Sequence, residues 1–186
     1  INFLKRVKAR MERYLSNPEE FEQTNDEKEF KNAVDTVIDL LNRFHSLTKS
    51  ITERRKGKQG FEFKDEYDVQ DFLFAIIKSY FPYASREEAA TPVGKGTTII
   101  DIVIPDQHIV IELKIIKEVN KEKDIVEQLK IDFESYHTHP ACKKLIAFVY
   151  DPNTVIKDPT KIINDLSGKR TKGEHSFDVE IIIAPK

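Results

Sequence analysis

The chain has 186 residues, with 30 basic and 32 acidic side chains, so its net charge of -2 does not by itself indicate nucleic-acid binding. With 39% hydrophobic and 33% charged residues, we expect a globular protein with one α/β core and an appendage. A single cysteine, Cys142, excludes an internal disulfide framework and suggests a reducing compartment.

Targeting signals are absent from the sequence pattern. No apolar segment is long enough to span a bilayer, and the first residues lack a signal-peptide core, so we expect a cytoplasmic protein with no membrane partner. Because the sequence begins at Ile1 and its only methionine is Met11, we expect it to be the downstream part of a longer protein.

The first third of the chain has helical periodicity. Apolar residues recur at helical spacing over residues 3–15, and a longer helix is predicted over residues 27–55. We interpret residues 1–59 as a helical N-terminal region that serves in linking or assembly. The longer helix ends in a basic run, residues 49–58, which can bind phosphates, although solvated helix ends explain such a run equally well.

From residue 60 the pattern changes to mixed α/β. Strands are predicted at residues 60–63, 87–93, 97–104, 109–117, 145–150 and 177–183, and helices at 66–80, 121–137 and 160–166. Residues 94–96 and 105–108 read as turns, the second joining two antiparallel strands, and residues 167–176 as a polar, mobile loop. The order of the core is α, β, β, β, α, β, followed by α, β.

Charged side chains interrupt two of the most apolar segments. Residues 98–104 contain Asp101, and residues 109–116 contain Glu112 and Lys114. Ile/Val-rich strands of this kind are covered on both faces, where an unpaired charge costs several kcal/mol. Since side chains alternate along a strand, Glu112 and Lys114 share a face, and the hairpin brings residue 101 close to residue 112 or 113. We therefore expect one site built from all three side chains.

A divalent cation would compensate these charges. Magnesium prefers a few carboxylates completed by waters and substrate phosphate oxygens, which suits Asp101, Glu112 and the carbonyl of Leu113. Such an ion activates a bound water and neutralises the charge of a phosphoryl transition state. Lys114 would then orient or deprotonate the attacking water, its pKa depressed by the ion and by burial.

These residues carry a resemblance to a known superfamily. Asp101, ten residues and then Glu112-Leu-Lys114 resemble the motif of the PD-(D/E)xK nucleases, with Ile100 in place of the proline. Further pieces are Arg43-Phe-His45 leading into Arg54-Arg55, Glu66-Tyr-Asp-Val-Gln70, Gly94-Lys95, the span from Gln128 to Tyr136, and Phe148-Val-Tyr-Asp-Pro152. Together they are similar to the DpnII/MboI-like restriction endonuclease domain family, from about residue 44 to residue 185.

The resemblance implies a fold and an activity. The fold would be a restriction-endonuclease-like αβββαβ core at residues 60–186, with a mixed central sheet flanked by helices and the N-terminal helical appendage before it. The activity would be Mg2+-dependent hydrolysis of DNA, with Mn2+ as a substitute and RNA left open as a substrate. The chain would act in bacterial restriction or anti-phage defence, as a homo-oligomer or as part of a larger multidomain protein.

Two more site residues follow from the resemblance. Glu66 would be a further metal ligand, although a carboxylate at a helix N-terminus is equally expected on electrostatic grounds. Gln128 lies four and eight residues before Asp132 and Tyr136, so one helical face presents all three, as an ordinary polar face also would. Lys95 would touch a phosphate or be a plain turn residue.

Other interpretations of the sequence were weighed. A catalytically silent nucleic-acid-binding or assembly domain could keep the nuclease fold, and a structural protein could bury the three charges as an ion-pair network. The segment 94–98 lacks the first glycine of a P-loop and stands in the wrong order of elements. His137, His139 and Cys142 match no common zinc spacing, and no serine elbow is present.

Overall fold

The architecture comes from a computed structural model, which describes residues 5, 8, 12, 16, 18–89, 99–118, 121–136, 142–172 and 175–185. The chain divides into two compact units, Ile1–Thr36 and Val37–Lys186. The domain boundary expected at residues 59 and 60 stays a prediction. Most of the helix predicted at residues 3–15, and the turn at residues 94–96, lie outside the described residues.

Four helices and six strands make up the described fold. The helices are α1 (Pro18–Thr52), α2 (Glu66–Tyr80), α3 (Glu122–Tyr136) and α4 (Pro159–Leu166). The strands are β1 (Ser85–Ala89), β2 (Ile99–Ile104), β3 (Ile109–Ile115), β4 (Lys144–Tyr150), β5 (Gly168–Lys172) and β6 (His175–Ala184). Short 3-10 turns cover Arg55–Gly57 and Pro105–Gln107. Among the described residues, no helix is both long and apolar enough to cross a membrane.

The strands form one mixed sheet in the order β1, β2, β3, β4, β6, β5. The pairs β1–β2 and β2–β3 are antiparallel, β3–β4 and β4–β6 are parallel, and β5–β6 is antiparallel. The parallel pairs need crossovers, which α3 and α4 supply because each lies between the strands that pair. This confirms the predicted αβββαβ core with a mixed sheet flanked by helices.

Helices cover both faces of this sheet. On one face, Leu129 and Phe133 of α3 belong to a buried cluster with Val110, Ala147 and Val179 of the three parallel strands. On the other face, the ring of Phe44 in α1 packs edge-on against Phe148 and Tyr150 of β4, with ring centroids 5.3 and 5.1 Å apart. A sheet buried on both faces explains why its central strands read as continuous apolar runs.

Two predicted elements are wrong. Residues 60–63 form no strand; the N–H of Phe61 instead donates to the carbonyl of Ile51, 3.0 Å away at the end of α1, so the segment is bound to a helix end. Residues 167–176, predicted as a mobile loop, contain β5, which pairs with β6 along its whole length. Because β5 is an edge strand, the sequence Gly-Lys-Arg-Thr-Lys can be polar and still lie in the sheet.

The Phe44 contacts predict a large loss of stability on truncation. Phe44 is fully buried, and Phe44→Ala should lower the free energy of unfolding by about 3–5 kcal/mol, because it removes a ring and leaves a cavity between helix and sheet. Urea denaturation measures the change. Tyr83→Ala is the matched control; Tyr83 is 74% exposed, so this variant should stay within about 0.5 kcal/mol of the parent. Equal losses in the two variants would contradict this packing.

Candidate active site

The site begins where two strands separate. The β2–β3 ladder pairs Ile104 with Ile109 and Ile102 with Ile111, and among the described residues no further pair follows. Strand β2 continues in register with β1 as far as Ile99. Beyond Ile111, the edge of β3 that faces β2 is therefore left without a strand partner.

Carboxylates replace the missing strand. The N–H of Leu113 donates to Oδ2 of Asp101 at 2.7 Å, and the N–H of Ile115 donates to Oε2 of Glu66 at 3.1 Å. In an antiparallel ladder the N–H and C=O of one residue point to the same neighbour, so the carbonyl of Leu113 also faces this opening. Asp101, Glu66 and the Leu113 carbonyl thus lie along one open edge of β3.

A second group of side chains lies on the α3 face of β3. Nζ of Lys114 is 2.5 Å from Oε1 of Glu112 and 3.1 Å from Oδ2 of Asp132 on α3. The hydroxyl of Tyr136, one turn further along α3, donates to Oε2 of Glu112. Glu112 and Lys114 therefore share a face, as strand alternation predicts, and α3 fixes both of them.

Gln70 belongs to the site although sequence reasoning missed it. It is 5% exposed, and its side-chain Nε2 donates to Oδ1 of Asp101 at 3.1 Å. The available signal was its position four residues after Glu66, on the same face of a helix that points at the strand opening. With Gln70 and the Leu113 N–H as donors, both oxygens of Asp101 are held in place.

Gln128 is not brought into the cluster. It is exposed on α3, and within the described residues it forms no hydrogen bond to the other site residues. The expected helical face is real for Asp132 and Tyr136, which reach Lys114 and Glu112, but Gln128 lies one turn before them. Lys95 lies outside the described residues.

Burial changes the protonation of the two central carboxyls. Burial raises the pKa of Asp101 to about 6, against the hydrogen bond from Leu113 and the charge of Lys114, which lower it. Burial and the neighbouring Asp101 raise the pKa of Glu112 to about 8, with Lys114 again opposing. Both shifts come mainly from burial, which disfavours a charged carboxylate in this pocket.

The shift of Lys114 differs from the expected one. Burial disfavours its ammonium, but the charges of Glu112, Asp132 and Glu66 outweigh burial, so the pKa of Lys114 lies above its ordinary value rather than below it. Lys114 is therefore a cation in this arrangement. The sequence-based expectation rested on burial and on a bound cation, and it did not consider the carboxylates that α2 and α3 bring to this lysine. With a cation bound, that expectation stays a prediction.

The pocket fits a hard divalent cation. Four carboxylates, from Glu66, Asp101, Glu112 and Asp132, surround one ammonium, and each ionised carboxylate offers about four lone pairs, more than the contacts described above use. Among the described residues no three His, Cys, Asp or Glu side chains already converge as a metal cage. A cation held here would need waters or substrate phosphates as its other ligands.

Comparison with known proteins identifies the family. The family model described as REase_DpnII-MboI matches residues 35–186. Searches of the curated proteins and of the solved structures gave no match. The matched range covers the whole sheet, helices α2, α3 and α4, the part of α1 from residue 35 onward, and every site residue described above. The chain therefore belongs to the DpnII/MboI family of restriction endonucleases.

Proposed function

We propose that this protein is a Mg2+-dependent endonuclease that hydrolyses phosphodiester bonds in DNA, with Mn2+ able to replace Mg2+. Membership of a restriction endonuclease family supports endonuclease activity and DNA binding. The observation that carries the metal-dependent mechanism is the cluster beside β3, in which the carboxylates of Glu66, Asp101, Glu112 and Asp132 accompany the single ammonium of Lys114.

In this mechanism Asp101, Glu112 and the Leu113 carbonyl would hold the cation, and Glu66 would support it from the open edge of β3. When bound, the cation lowers the pKa of a water molecule and balances the charge that develops on the phosphate. Gln70 keeps Asp101 oriented by its hydrogen bond to Oδ1, and Tyr136 does the same for Glu112. Gln128 stays a proposal for a residue that contacts substrate from the exposed side of α3.

Lys114 acts as a cation in this proposal. Its ammonium lies 2.5 Å from Oε1 of Glu112 and 3.1 Å from Oδ2 of Asp132, and it offers three N–H donors. In this proposal the ammonium positions the attacking water or a phosphate oxygen and stabilises negative charge. Of the two roles that the sequence left open for Lys114, this ion-paired position favours orientation.

The biological setting follows from the family. We propose a cytoplasmic effector domain of a bacterial restriction or anti-phage defence protein, which acts as a homo-oligomer or within a larger multidomain chain. A restriction endonuclease meets its DNA in the cytoplasm, and the single buried thiol, Cys142, agrees with a reducing compartment. The N-terminal region, residues 1–59, would link this domain to a sensor or assembly region.

Two rival functions differ from this proposal in what they expect of the site residues. A silent domain with a nuclease fold would bind DNA without cutting it, but such copies usually lose the lysine or a carboxylate, and this chain retains Asp101, Glu112 and Lys114. A purely structural ion-pair network is favoured by the hydrogen bonds already made to Asp101 and Glu112. The experiments below separate both from a metal-dependent nuclease.

The first test is cleavage itself. Purified protein should convert supercoiled plasmid to nicked or linear DNA in Mg2+ or Mn2+, stop in EDTA, and resume when Mg2+ is added in excess of the chelator. Gel electrophoresis of plasmid, single-stranded DNA and RNA in parallel also defines the substrate. Labelled DNA that binds and is never cut, under all metals tried, would support the silent domain instead.

The second test addresses Lys114. Lys114→Met should lower the cleavage rate by at least about 100-fold, because it removes a preorganised charge from the reacting phosphate. Lys144→Met is the matched control; Lys144 is a half-buried sheet lysine that is also ion-paired, 2.8 Å from Glu180. The control should retain its cleavage rate, and circular dichroism should show both variants folded. Full activity in Lys114→Met would refute the assigned role.

The third test measures the cation directly by calorimetry. Mg2+ should give a binding heat with the parent protein that is lost in Asp101→Asn and Glu112→Gln and weakened in Glu66→Gln, since amides keep the hydrogen-bond acceptor but lose the charge. Asp71→Asn is the control, because Asp71 pairs with Arg86 at the surface, away from this pocket. An unchanged heat in Asp101→Asn, or none in the parent, would favour the ion-pair network.

A further inference from the structure

A compact loop of basic residues follows α1. Residues 54–58, here called the basic loop, lie between the last residue of α1, Thr52, and Gly60. Two features hold the ends of the loop together. The Phe61 N–H donates to the Ile51 carbonyl at 3.0 Å. The backbone of Gly60 also packs closely on the end of α1, because a Cβ added to Gly60 would lie only 1.8 Å from the Thr52 carbonyl oxygen. Glycine is therefore required at residue 60, and the base of the loop is fixed on the helix end.

The cations of this loop have no partners. Arg54, Arg55, Lys56 and Lys58 are all exposed, and among the described residues none of them forms an ion pair or a side-chain hydrogen bond. Lys56 adopts a left-handed backbone conformation with φ of 61°, and Gly57 follows with φ of 63°, so the loop turns sharply and presents neighbouring cations together. Four unpartnered positive charges on a fixed backbone form an electrostatic surface for a polyanion.

A groove lies between the base of the basic loop and the end of β3. An open cavity of about 560 Å³ is bounded by Thr52, Glu53 and Gly60 at the base of the loop, and by Ile115 and Lys117 just after the catalytic part of β3. Ile115 is the residue whose N–H binds Glu66. The groove therefore reaches the edge of β3 at which Glu66 of the proposed metal site is bound.

The groove has its own fixed polar groups. The hydroxyl of Tyr150 lies 3.1 Å from Nδ1 of His45 and 3.1 Å from the hydroxyl of Thr48, and all three side chains line the cavity. The Nζ of Lys117 donates to the carbonyls of Phe63 and Lys64 at 2.7 and 2.6 Å, which ties the far wall to the end of β3. Hydrogen bonds within the protein therefore hold both walls of the groove.

The positive charge of the basic loop indicates which kind of ligand it binds. The active site brings together four carboxylates and one ammonium, so the phosphates that flank the one to be cut need a cationic surface elsewhere on the protein. The basic loop carries such charge, and the groove leads from its base to β3. We propose that the groove and the basic loop hold the sugar-phosphate backbone on one side of the scissile phosphate. This inference rests on the proposed nuclease function and assigns its substrate-binding surface.

A charge-matched pair of variants tests the assignment. The loop variant carries Arg54→Gln, Arg55→Gln and Lys58→Gln, and leaves Lys56 unchanged because of its left-handed backbone. The control carries Lys143→Gln, Lys161→Gln and Lys169→Gln, three exposed lysines on other parts of the sheet and helices, none of them ion-paired among the described residues. Both variants lose three positive charges, so they differ only in where the charge is lost.

Binding of labelled duplex DNA is measured in EDTA as a function of salt, so that cleavage plays no part. Each lost phosphate contact reduces the slope of log K against log salt by about 0.9, so the loop variant should lose about 2 to 3 units of slope and the control almost none. In Mg2+, the loop variant should raise KM and leave kcat unchanged, because the loop does not touch the reacting atoms.

The other possible outcomes distinguish a failure of the assigned surface from a failure of the proposed nuclease function. Equal slopes in the two variants overturn the assigned surface while the nuclease function, judged by plasmid cleavage of the parent, still stands. A parent that binds duplex and is never able to cut it refutes the proposed function, but the slopes still test the surface. A parent that binds no nucleic acid, or a loop variant that binds DNA as the parent does, overturns the inference.

Discussion

The site depends on one constraint, which is that the edge of β3 beyond Ile111 has no strand to pair with in the part of the chain that the structure describes. After Ile111 the neighbouring strand turns away with β1, and two backbone N–H groups, of Leu113 and Ile115, need acceptors inside the protein. A buried donor without an acceptor costs about 1–3 kcal/mol, so the fold supplies carboxylates from Asp101 and Glu66. The need to complete the sheet therefore brings negative charge to the place where chemistry is proposed to occur.

Much of this could be predicted from the sequence because its signals are local. The bounds of α2 match the predicted residues 66–80, and β2, β3, β4 and α3 begin and end within about two residues of their predicted bounds. Alternation alone placed Glu112 and Lys114 on one face, and the hairpin turn placed Asp101 beside them. Periodicity and turn chemistry act over a few residues, so one sequence is enough to show them.

What could not be predicted depends on contacts between distant segments. Gln70 is a site residue only because β2 and β3 separate, and no local pattern encodes that separation. The raised pKa of Lys114 depends on Asp132 and Glu66, which reach it from two different helices. Polar β5 was read as a loop because an edge strand needs no apolar alternation. Gln128 shares a helical face with Asp132 and Tyr136 but remains exposed.

Asp101 has one role in the sheet and a second role in the proposed mechanism, and this combination has an evolutionary consequence. Its carboxylate completes the sheet and, in the proposed mechanism, also binds the cation, so replacement by alanine would remove catalysis and leave the Leu113 N–H without its acceptor. Asparagine has nearly the same shape and keeps one acceptor oxygen for the Leu113 N–H, while it removes the charge and replaces the oxygen that accepts from Gln70 by an NH2 group. A lineage that loses DNA cleavage but keeps this fold is therefore expected to replace Asp101 by asparagine. Asparagine at position 101 would then mark a descendant that has lost its nuclease activity and kept its architecture.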